Sequence, residues 1–99
     1  MKALLSIDIG TESARAALVD LSGRVMASCS SYEYELICSR PGWVEQEPDK
    51  WWNATVSNIR GVLLKVPEVE VLAVGVGGQM HAVVPIDGKG RLISPTSLI

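Results

Sequence analysis

The first residues that could do chemistry stand at the end of an apolar run near the start of the chain. In "LLSIDIGTESARAALVD", Asp8 closes the run and Gly10 permits a tight turn. Backbone amides and the hydroxyls of Thr11 and Ser13 could face one anion, and Arg15 would add positive charge beside a phosphate. Asp8 could hold Mg²⁺ through a water, since hard cations prefer carboxylate oxygen. The alternative is an ordinary strand end, at which Asp8 accepts hydrogen bonds from the turn amides.

Two common nucleotide-binding loops are excluded. The turn after Asp8 lacks the GxGxxG pattern, and strand-like residues follow it rather than a helix. The segment "GVGGQM" (residues 75–80) misses the same pattern at its sixth position, and no GxxxxGK[ST] loop occurs. If the first turn binds phosphate, it does so as a loop between two antiparallel strands.

A second polar group, Gly77-Gly78-Gln79-Met80-His81, follows a later apolar run. Side chains at the C-terminal end of a parallel strand project into the crevice where ligands usually bind. The glycines would let a ligand approach closely, Gln79 and His81 supply donors and acceptors, and Met80 supplies an apolar wall. A turn with a partly exposed histidine explains the same residues, so both interpretations stay open.

All three tryptophans lie within "RPGWVEQEPDKWW". Trp43, Trp51 and Trp52 are expected to fix a long connection and the first helical turn onto the sheet, although a stacking platform for a sugar or base is the alternative. Glu45 and Glu47 do not form a convincing acid/base pair, because no partner chemistry stands near them in the sequence.

The elements that must position these groups begin with strands. Residues 3–8 are apolar on both faces, and residues 14–21 and 24–34 follow with a turn between them, which predicts an antiparallel meander of three strands. Residues 35–47 read as an irregular connection marked by "SRPGW".

A helix is predicted from Pro48, because proline is favoured at the first helical position, and Pro67 ends it. Gly61 weakens this prediction, because glycine inside a helix lowers its stability by about 1 kcal/mol relative to alanine. The predicted buried stripe consists of Trp52, Val56, Ile59, Leu63 and Val66.

Two further strands are predicted after the helix. Residues 69–77 are rich in valine, and "HAVVPID" (81–87) is predicted as a fifth strand before a hairpin turn at 87–90 that leads into "RLIS". The order β-β-β-α-β-β predicts an α/β fold, with a mixed sheet and the helix covering one face.

Composition excludes several classes of protein. The 99 residues suffice for one small domain, and 47% hydrophobic with 20% charged residues is typical of a globular chain. The net charge of −2 gives no sign of nucleic-acid or membrane attachment. Asp8 interrupts the first apolar run too early for a signal peptide, and Cys29 and Cys38 lack metal-binding spacing. A cytoplasmic protein with reduced thiols is expected.

Three segments together resemble the FGGY family of carbohydrate kinases, and most closely its xylulose kinase branch. They are "DIGTESARAALVD", "RPGWVEQEPDKWWNAT" and "VGVGGQMHAVVPID", which span the chain in the family's order. The first segment alone would indicate only the wider actin/Hsp70/sugar kinase superfamily. The resemblance implies a ribonuclease-H-like domain and transfer of the γ-phosphoryl group of ATP, with Mg²⁺, to a sugar hydroxyl.

The resemblance also implies roles for individual residues. Asp8 looks like the metal-associated acid of the family. The phosphate contacts it implies are Thr11, Ser13 and Arg15. The sugar contacts it implies are Met80 and His81, with Gln79 beside them. Glycerol kinases carry an Arg-Glu pair where this chain has Met-His, which argues against glycerol.

The sequence departs from the family pattern in two places. Glu12 stands where the phosphate loop commonly has Thr or Ser, which puts a negative charge near an anionic ligand. The chain ends at Ile99, where the family continues into a W-x-D-x-R motif, so the domain is expected to be incomplete. No catalytic base is assigned here, because in the family it lies beyond this point.

Two other interpretations remain. In the first, the isolated chain is a non-catalytic binding or assembly module that forms a homodimer through the exposed sheet. A weaker option is an actin-like ATPase that shares only the first motif.

Overall fold

The computed structural model describes residues 1–31 and 34–99. In chain order the elements are β1 (Lys2–Ile9), β2 (Ala14–Asp20), β3 (Val25–Ser31), β4 (Glu45–Gln46), α1 (Pro48–Lys65), β5 (Glu70–Gly78) and β6 (Ser97–Leu98). The bounds of β1, β2, α1 and β5 lie close to those predicted. The predicted third strand extended over residues 32 and 33, which lie outside the described residues.

The main sheet has four strands in the order β3-β2-β1-β5. The first three strands pair antiparallel as a meander, and β5 pairs parallel with β1 after the crossover through α1. This confirms the predicted mixed sheet and α/β class. Helix α1 packs on β2 and β3 and barely reaches β1, so β5 is exposed along most of its length.

The core lies between α1 and one face of the sheet. Alternate residues of β1 and β2 point into it, as strand geometry requires. The buried residues of this cluster are Ala3, Leu5, Ile7, Ala16, Leu18, Val62 and Val66.

The predicted buried stripe is wrong at Trp52 and Leu63, which are exposed, whereas Val66 is buried and Ile59 packs against the core. The sheet-facing residues are Ala54, Thr55, Asn58 and Val62, whereas Trp52 is 67% exposed. The buried face of the helix, which carries small and polar residues beside Val62, packs against β2 and β3. Thr55 and Asn58 tolerate burial because each side chain donates a hydrogen bond to a backbone carbonyl. Within residues 1–31 and 34–99, no helix is long and apolar enough to cross a membrane.

Gly61 explains how closely α1 approaches β3. A Cβ built at Gly61 would lie 2.6 Å from Cys29 Sγ, closer than such contacts occur. The glycine that weakens the helix by propensity is therefore the residue that lets the sulfur of Cys29 sit against the helix backbone.

The predicted strand at 81–87 is wrong. This segment is irregular, with a single bridge between Ile86 and Leu92, and most of its residues are exposed. Its backbone makes isolated hydrogen bonds rather than a ladder, such as the one from the Val83 N–H to the carbonyl of Leu98 at 3.2 Å, and Pro85 cannot donate to a ladder. Further along, β6 instead pairs antiparallel with β4, inside the connection that was predicted to be irregular.

The hairpin turn predicted at 87–90 is confirmed and repeats the turn between β2 and β3. Asp20 and Asp87 each accept backbone hydrogen bonds from the residues two and four positions later. Gly23 and Gly90 each take positive φ, +92° and +78°. The hydrogen bond from the Ser22 hydroxyl and the backbone N–H of Arg24 lower the pKa of Asp20. Backbone N–H groups likewise lower the pKa of Asp87.

Candidate functional site

Asp8 lies in a row of three residues across the sheet. It is paired with Arg15 of β2 on one side and with Gly77 of β5 on the other. Its side chain points to the face opposite α1, where it is exposed. Asp8 and Arg15, which are predicted to act together, therefore occupy paired positions on adjacent strands.

The space beside the Asp8 carboxylate is kept open by glycine. A Cβ at Gly77 would lie 3.7 Å from Asp8 Oδ1, and a Cβ at Gly75 would contact nothing within 4 Å. In the described residues no group of three or more His, Cys, Asp or Glu could hold a metal. A single carboxylate with free space suits Mg²⁺, which keeps several waters, and does not suit an all-protein zinc or calcium site.

The loop between β1 and β2 (residues 10–13) is closed by one backbone hydrogen bond. The N–H of Gly10 donates to the carbonyl of Ser13 at 2.8 Å, and a Cβ at Gly10 would lie 3.2 Å from that oxygen. Thr11 and Glu12 at its tip are exposed. Because Glu12 faces solvent, its carboxylate can turn away from an anion held by the loop.

Three buried side chains hold the carbonyls of this loop region. The Tyr34 hydroxyl donates to the carbonyl of Gly10 at 2.6 Å. The amide of Gln46 donates to the carbonyl of Thr11 at 2.5 Å, and that of Asn58 donates to the carbonyl of Ala14 at 3.0 Å. With these carbonyls occupied from inside the protein, the loop conformation is fixed without a bound ligand.

Tyr34 is 5% exposed, and its pKa is raised above the ordinary value of 10.0. Burial of the phenol is the main cause, and the negative charge of Asp8 adds to it. The hydroxyl therefore keeps its proton at neutral pH and remains a donor to the Gly10 carbonyl.

The predicted phosphate contacts lie on or beside this loop. The Thr11 hydroxyl donates to Gln79 Oε1 at 3.3 Å, and Ser13 is half-buried. Arg15 is exposed and donates from Nε to Ser30 Oγ at 3.2 Å, so its side chain lies towards β3.

The end of β5 brings the second polar group next to the loop. The backbone N–H of Gln79 donates to the carbonyl of Ile9 at 2.8 Å, which extends the parallel pairing by one residue. Met80 is 78% exposed, and His81 is exposed with φ of +63°. Left-handed backbone is uncommon for a residue other than glycine, although histidine is among those that adopt it more often. Gln79 therefore faces the loop, while Met80 and His81 are presented at the surface.

Sequence reasoning missed Gln46, Tyr34 and Asn58. Gln46 was passed over as part of an irregular connection, yet it is fully buried. A signal was present in Trp51, five residues later, because a largely buried indole N–H needs an acceptor. That acceptor is Gln46 Oε1, at 3.0 Å.

The tryptophans have three different environments. Trp51 packs against the buried cluster of Ala14, Tyr34 and Ala54, as expected for a structural residue. Trp43 is 42% exposed, and the guanidinium of Arg40 lies 4.7 Å from its ring centroid. Together with the exposed Trp52, this leaves one tryptophan of the three in the core.

Comparison with known proteins gives consistent matches. Residues 3–98 match the model of the FGGY family of carbohydrate kinases, N-terminal domain. The xylulose kinase of Escherichia coli K12 is 32% identical over 96 residues, which are 95% of this chain and 19% of that protein. The glycerol kinase of Chloroflexus aurantiacus is 42% identical over 81 residues, which are 80% of this chain and 16% of that protein.

Solved structures give the same match. A ligand-bound xylulose kinase from Lactobacillus acidophilus superposes with a TM-score of 0.89 at 26% identity, over 99% of this chain and 19% of that one. The present chain therefore spans about a fifth of the length of the relatives that it matches.

Proposed function

This chain belongs to the FGGY family of carbohydrate kinases, and we propose that residues 1–99 are the N-terminal part of the sugar-binding domain of an ATP-dependent kinase. The proposed substrate is a ketopentose, with xylulose as the first candidate, and the proposed location is the cytoplasm. The observation that carries the proposal is the meeting of two motifs, where Asp8 and the 10–13 loop stand beside Gln79 at the ends of neighbouring strands.

The loop side of this site is proposed to handle phosphate. Amides and hydroxyls at Thr11 and Ser13 would donate to phosphate oxygens, and Arg15 would compensate negative charge. Asp8 would hold Mg²⁺ through water, and the metal would neutralise charge on the phosphates of ATP. These residues would position the phosphates and compensate their charge, because catalysis of phosphoryl transfer depends mainly on positioning and electrostatic stabilisation.

The strand-end side is proposed to bind the sugar. His81 would donate or accept a hydrogen bond at a sugar hydroxyl, and Met80 would pack against the carbon skeleton. The positive φ of His81 supports this role, because strained backbone collects at ligand sites. The Met-His pair also favours a ketopentose over glycerol, although glycerol kinases are among the relatives of this chain.

The isolated 99-residue chain is expected to be inactive, since none of its residues is assigned as the general base and it spans about a fifth of the length of its relatives. A coupled assay of ADP release with xylulose, ribulose and glycerol should show no turnover above a protein-free control. Turnover would show that the chain carries a complete site, contrary to the proposal.

Substrate choice is best tested in a chimera in which residues 1–99 replace the matching segment of the E. coli xylulose kinase. The chimera should phosphorylate xylulose with kcat/KM at least tenfold above that for glycerol. His81→Ala should raise KM for xylulose about fivefold or more and leave KM for ATP unchanged, because a lost hydrogen bond to substrate is worth about 1 kcal/mol or more.

An exposed residue far from the site provides the matched control. Lys89→Ala, in the 87–90 turn, should leave both KM values unchanged. If His81→Ala raised KM for ATP instead, or if the chimera preferred glycerol, the sugar assignment would be wrong.

A second candidate function is that of an assembly module. Both faces of β5 are largely exposed, and in residues 1–31 and 34–99 no strand pairs with its outer edge. Such an edge can recruit a second copy by strand addition. Sedimentation at several concentrations should then show a homodimer, whereas a monomer at the highest concentration contradicts this function.

A further inference from the structure

Gln46 occupies a central position that the proposed sugar and phosphate contacts do not include. It lies in β4, is 0% exposed, and stands opposite Ser97 of β6. Its side chain reaches both the 10–13 loop and the segment that follows β5.

Every polar atom of the Gln46 side chain is used. Nε2 donates to the carbonyl of Thr11 at 2.5 Å. Oε1 accepts from Trp51 Nε1 at 3.0 Å and from Gln79 Nε2 at 3.1 Å. The orientation of the Gln46 amide is therefore fixed. If it were flipped, its NH2 group would face the N–H donors of Trp51 and Gln79, and its oxygen would face the carbonyl oxygen of Thr11.

A ring of hydrogen bonds results. Gln46 bonds the backbone of Thr11 and the side chain of Gln79, and Gln79 Oε1 accepts from the Thr11 hydroxyl at 3.3 Å. The link through Gln46 is the shorter and more buried of the two connections. Buried networks in which every group is satisfied hold one arrangement rigidly, since each broken bond leaves a desolvated polar group.

We propose that Gln46 is a positioning residue that couples the 10–13 loop to the segment that follows β5, so that a change at residues 10–13 is transmitted to Gln79. The proposal rests on the proposed function for its ligands, but the coupling itself is a property of the free chain. Trp51 fixes Gln46 from the helix side, which makes α1 the rigid support of both motifs.

The test in the free chain is Gln46→Glu, followed by NMR over pH. The introduced carboxyl is buried, so its pKa should rise above the usual value of about 4.3 for glutamate. Below that pKa it can donate to the Thr11 carbonyl, and above it the donor is lost. The Glu12 amide, which shares the peptide group of that carbonyl, and the Gln79 side-chain amide should then shift with one common midpoint.

Other titrating groups near the network must be separated from the introduced one. Asp8, Glu12, Glu45, Glu47 and His81 lie on or beside these segments. The same residues are present in the native chain and in Gln46→Met, an apolar variant of similar size, so both proteins serve as references. A common midpoint in Gln46→Glu that is missing from both references supports the coupling.

The core amide of Leu18 reports unfolding, because it lies in β2 at 0% exposure. If Leu18 stays unchanged while Glu12 and Gln79 shift together, the coupling is local and the proposal holds. If only one of the two sites shifts, or if their midpoints differ, the proposal is overturned. If Leu18 shifts as well, the common midpoint reports unfolding. In that case the titration of Gln46→Met with Mg²⁺ and ADP decides whether Gln46 couples the two sites.

That titration also separates the two proposals. In the native chain, Mg²⁺ and ADP should shift the amides of residues 10–13 and the side chain of Gln79 in parallel. In Gln46→Met the loop should still shift, and most of the Gln79 response should be lost. A full Gln79 response in this variant overturns the coupling. If the native loop fails to respond, the free chain alone does not bind ADP; the chimera then tests the proposed function, and the pH titration decides the coupling.

Discussion

The ends of β1 and β5 lie side by side, yet they are built in opposite ways. The loop after β1 has the carbonyls of Gly10 and Thr11 held by buried side chains. The segment after β5 presents Met80 and His81 to solvent, with His81 in left-handed backbone. The first end is held by the protein interior, and the second is exposed to solvent.

This difference separates stability from ligand choice. Substitutions that remove a support of the loop should lower the free energy of unfolding, because they leave buried groups without partners. Substitutions after β5 should change stability little or even favourably. Three variants of the free chain test this contrast.

The largest effect is expected for Asn58→Leu. Asn58 is 4% exposed and donates to the carbonyl of Ala14, so the change should lower the free energy of unfolding by about 1–3 kcal/mol. Urea denaturation measures this difference. Asn53→Leu, at an exposed position of the same helix, is the matched control and should change it by less than about 0.5 kcal/mol. Equal effects at both positions would show that Asn58 does not support the loop.

A smaller effect is expected for Tyr34→Phe, which removes the donor to the Gly10 carbonyl and should lower the free energy of unfolding by about 1 kcal/mol. The folded-state pKa of Tyr34 is raised, so its contribution is fully present below pH 10 and is lost as pH rises through the folded-state value. The urea midpoints of the two proteins should therefore differ at pH 7 and converge as pH rises through the folded-state pKa of Tyr34. A difference that persists at high pH would contradict the assigned hydrogen bond.

The smallest effect, and the only favourable one, is expected for His81→Gly. Left-handed backbone costs a non-glycine residue about 1–2 kcal/mol, and glycine costs about 0.5–1 kcal/mol in chain entropy. The free energy of unfolding should therefore rise by up to about 1 kcal/mol. Thermal and urea unfolding of this variant, of His81→Ala and of the native chain give the comparison. A loss of stability in His81→Gly would show that the imidazole supports the fold.

The sequence sufficed for the strands and for the start of the helix because those signals are local. Short apolar runs, turn glycines and Pro48 act through near neighbours, and the bounds of β1, β2 and α1 follow from them. The 87–90 turn was found for the same reason. Its aspartate and glycine close it without help from the strands around it.

The errors concern partners that lie far apart in the chain. The segment predicted as a strand at 81–87 makes isolated backbone hydrogen bonds and no ladder, and the buried face of α1 is set by its packing against β2 and β3. Asp8 and Gln79 could be proposed from their places at strand ends. Gln46 could not, because its role depends on contacts with Thr11 and Gln79, which lie 35 and 33 residues away.

The contact of Gly61 with Cys29 has a consequence for how these two positions can change during evolution. Sulfur fills the volume that a side chain at position 61 would need. A relative that gains alanine there is expected to carry a smaller residue, glycine or alanine, at position 29. The two positions, 32 residues apart in the chain, should then vary as a pair whose summed side-chain volume stays nearly constant.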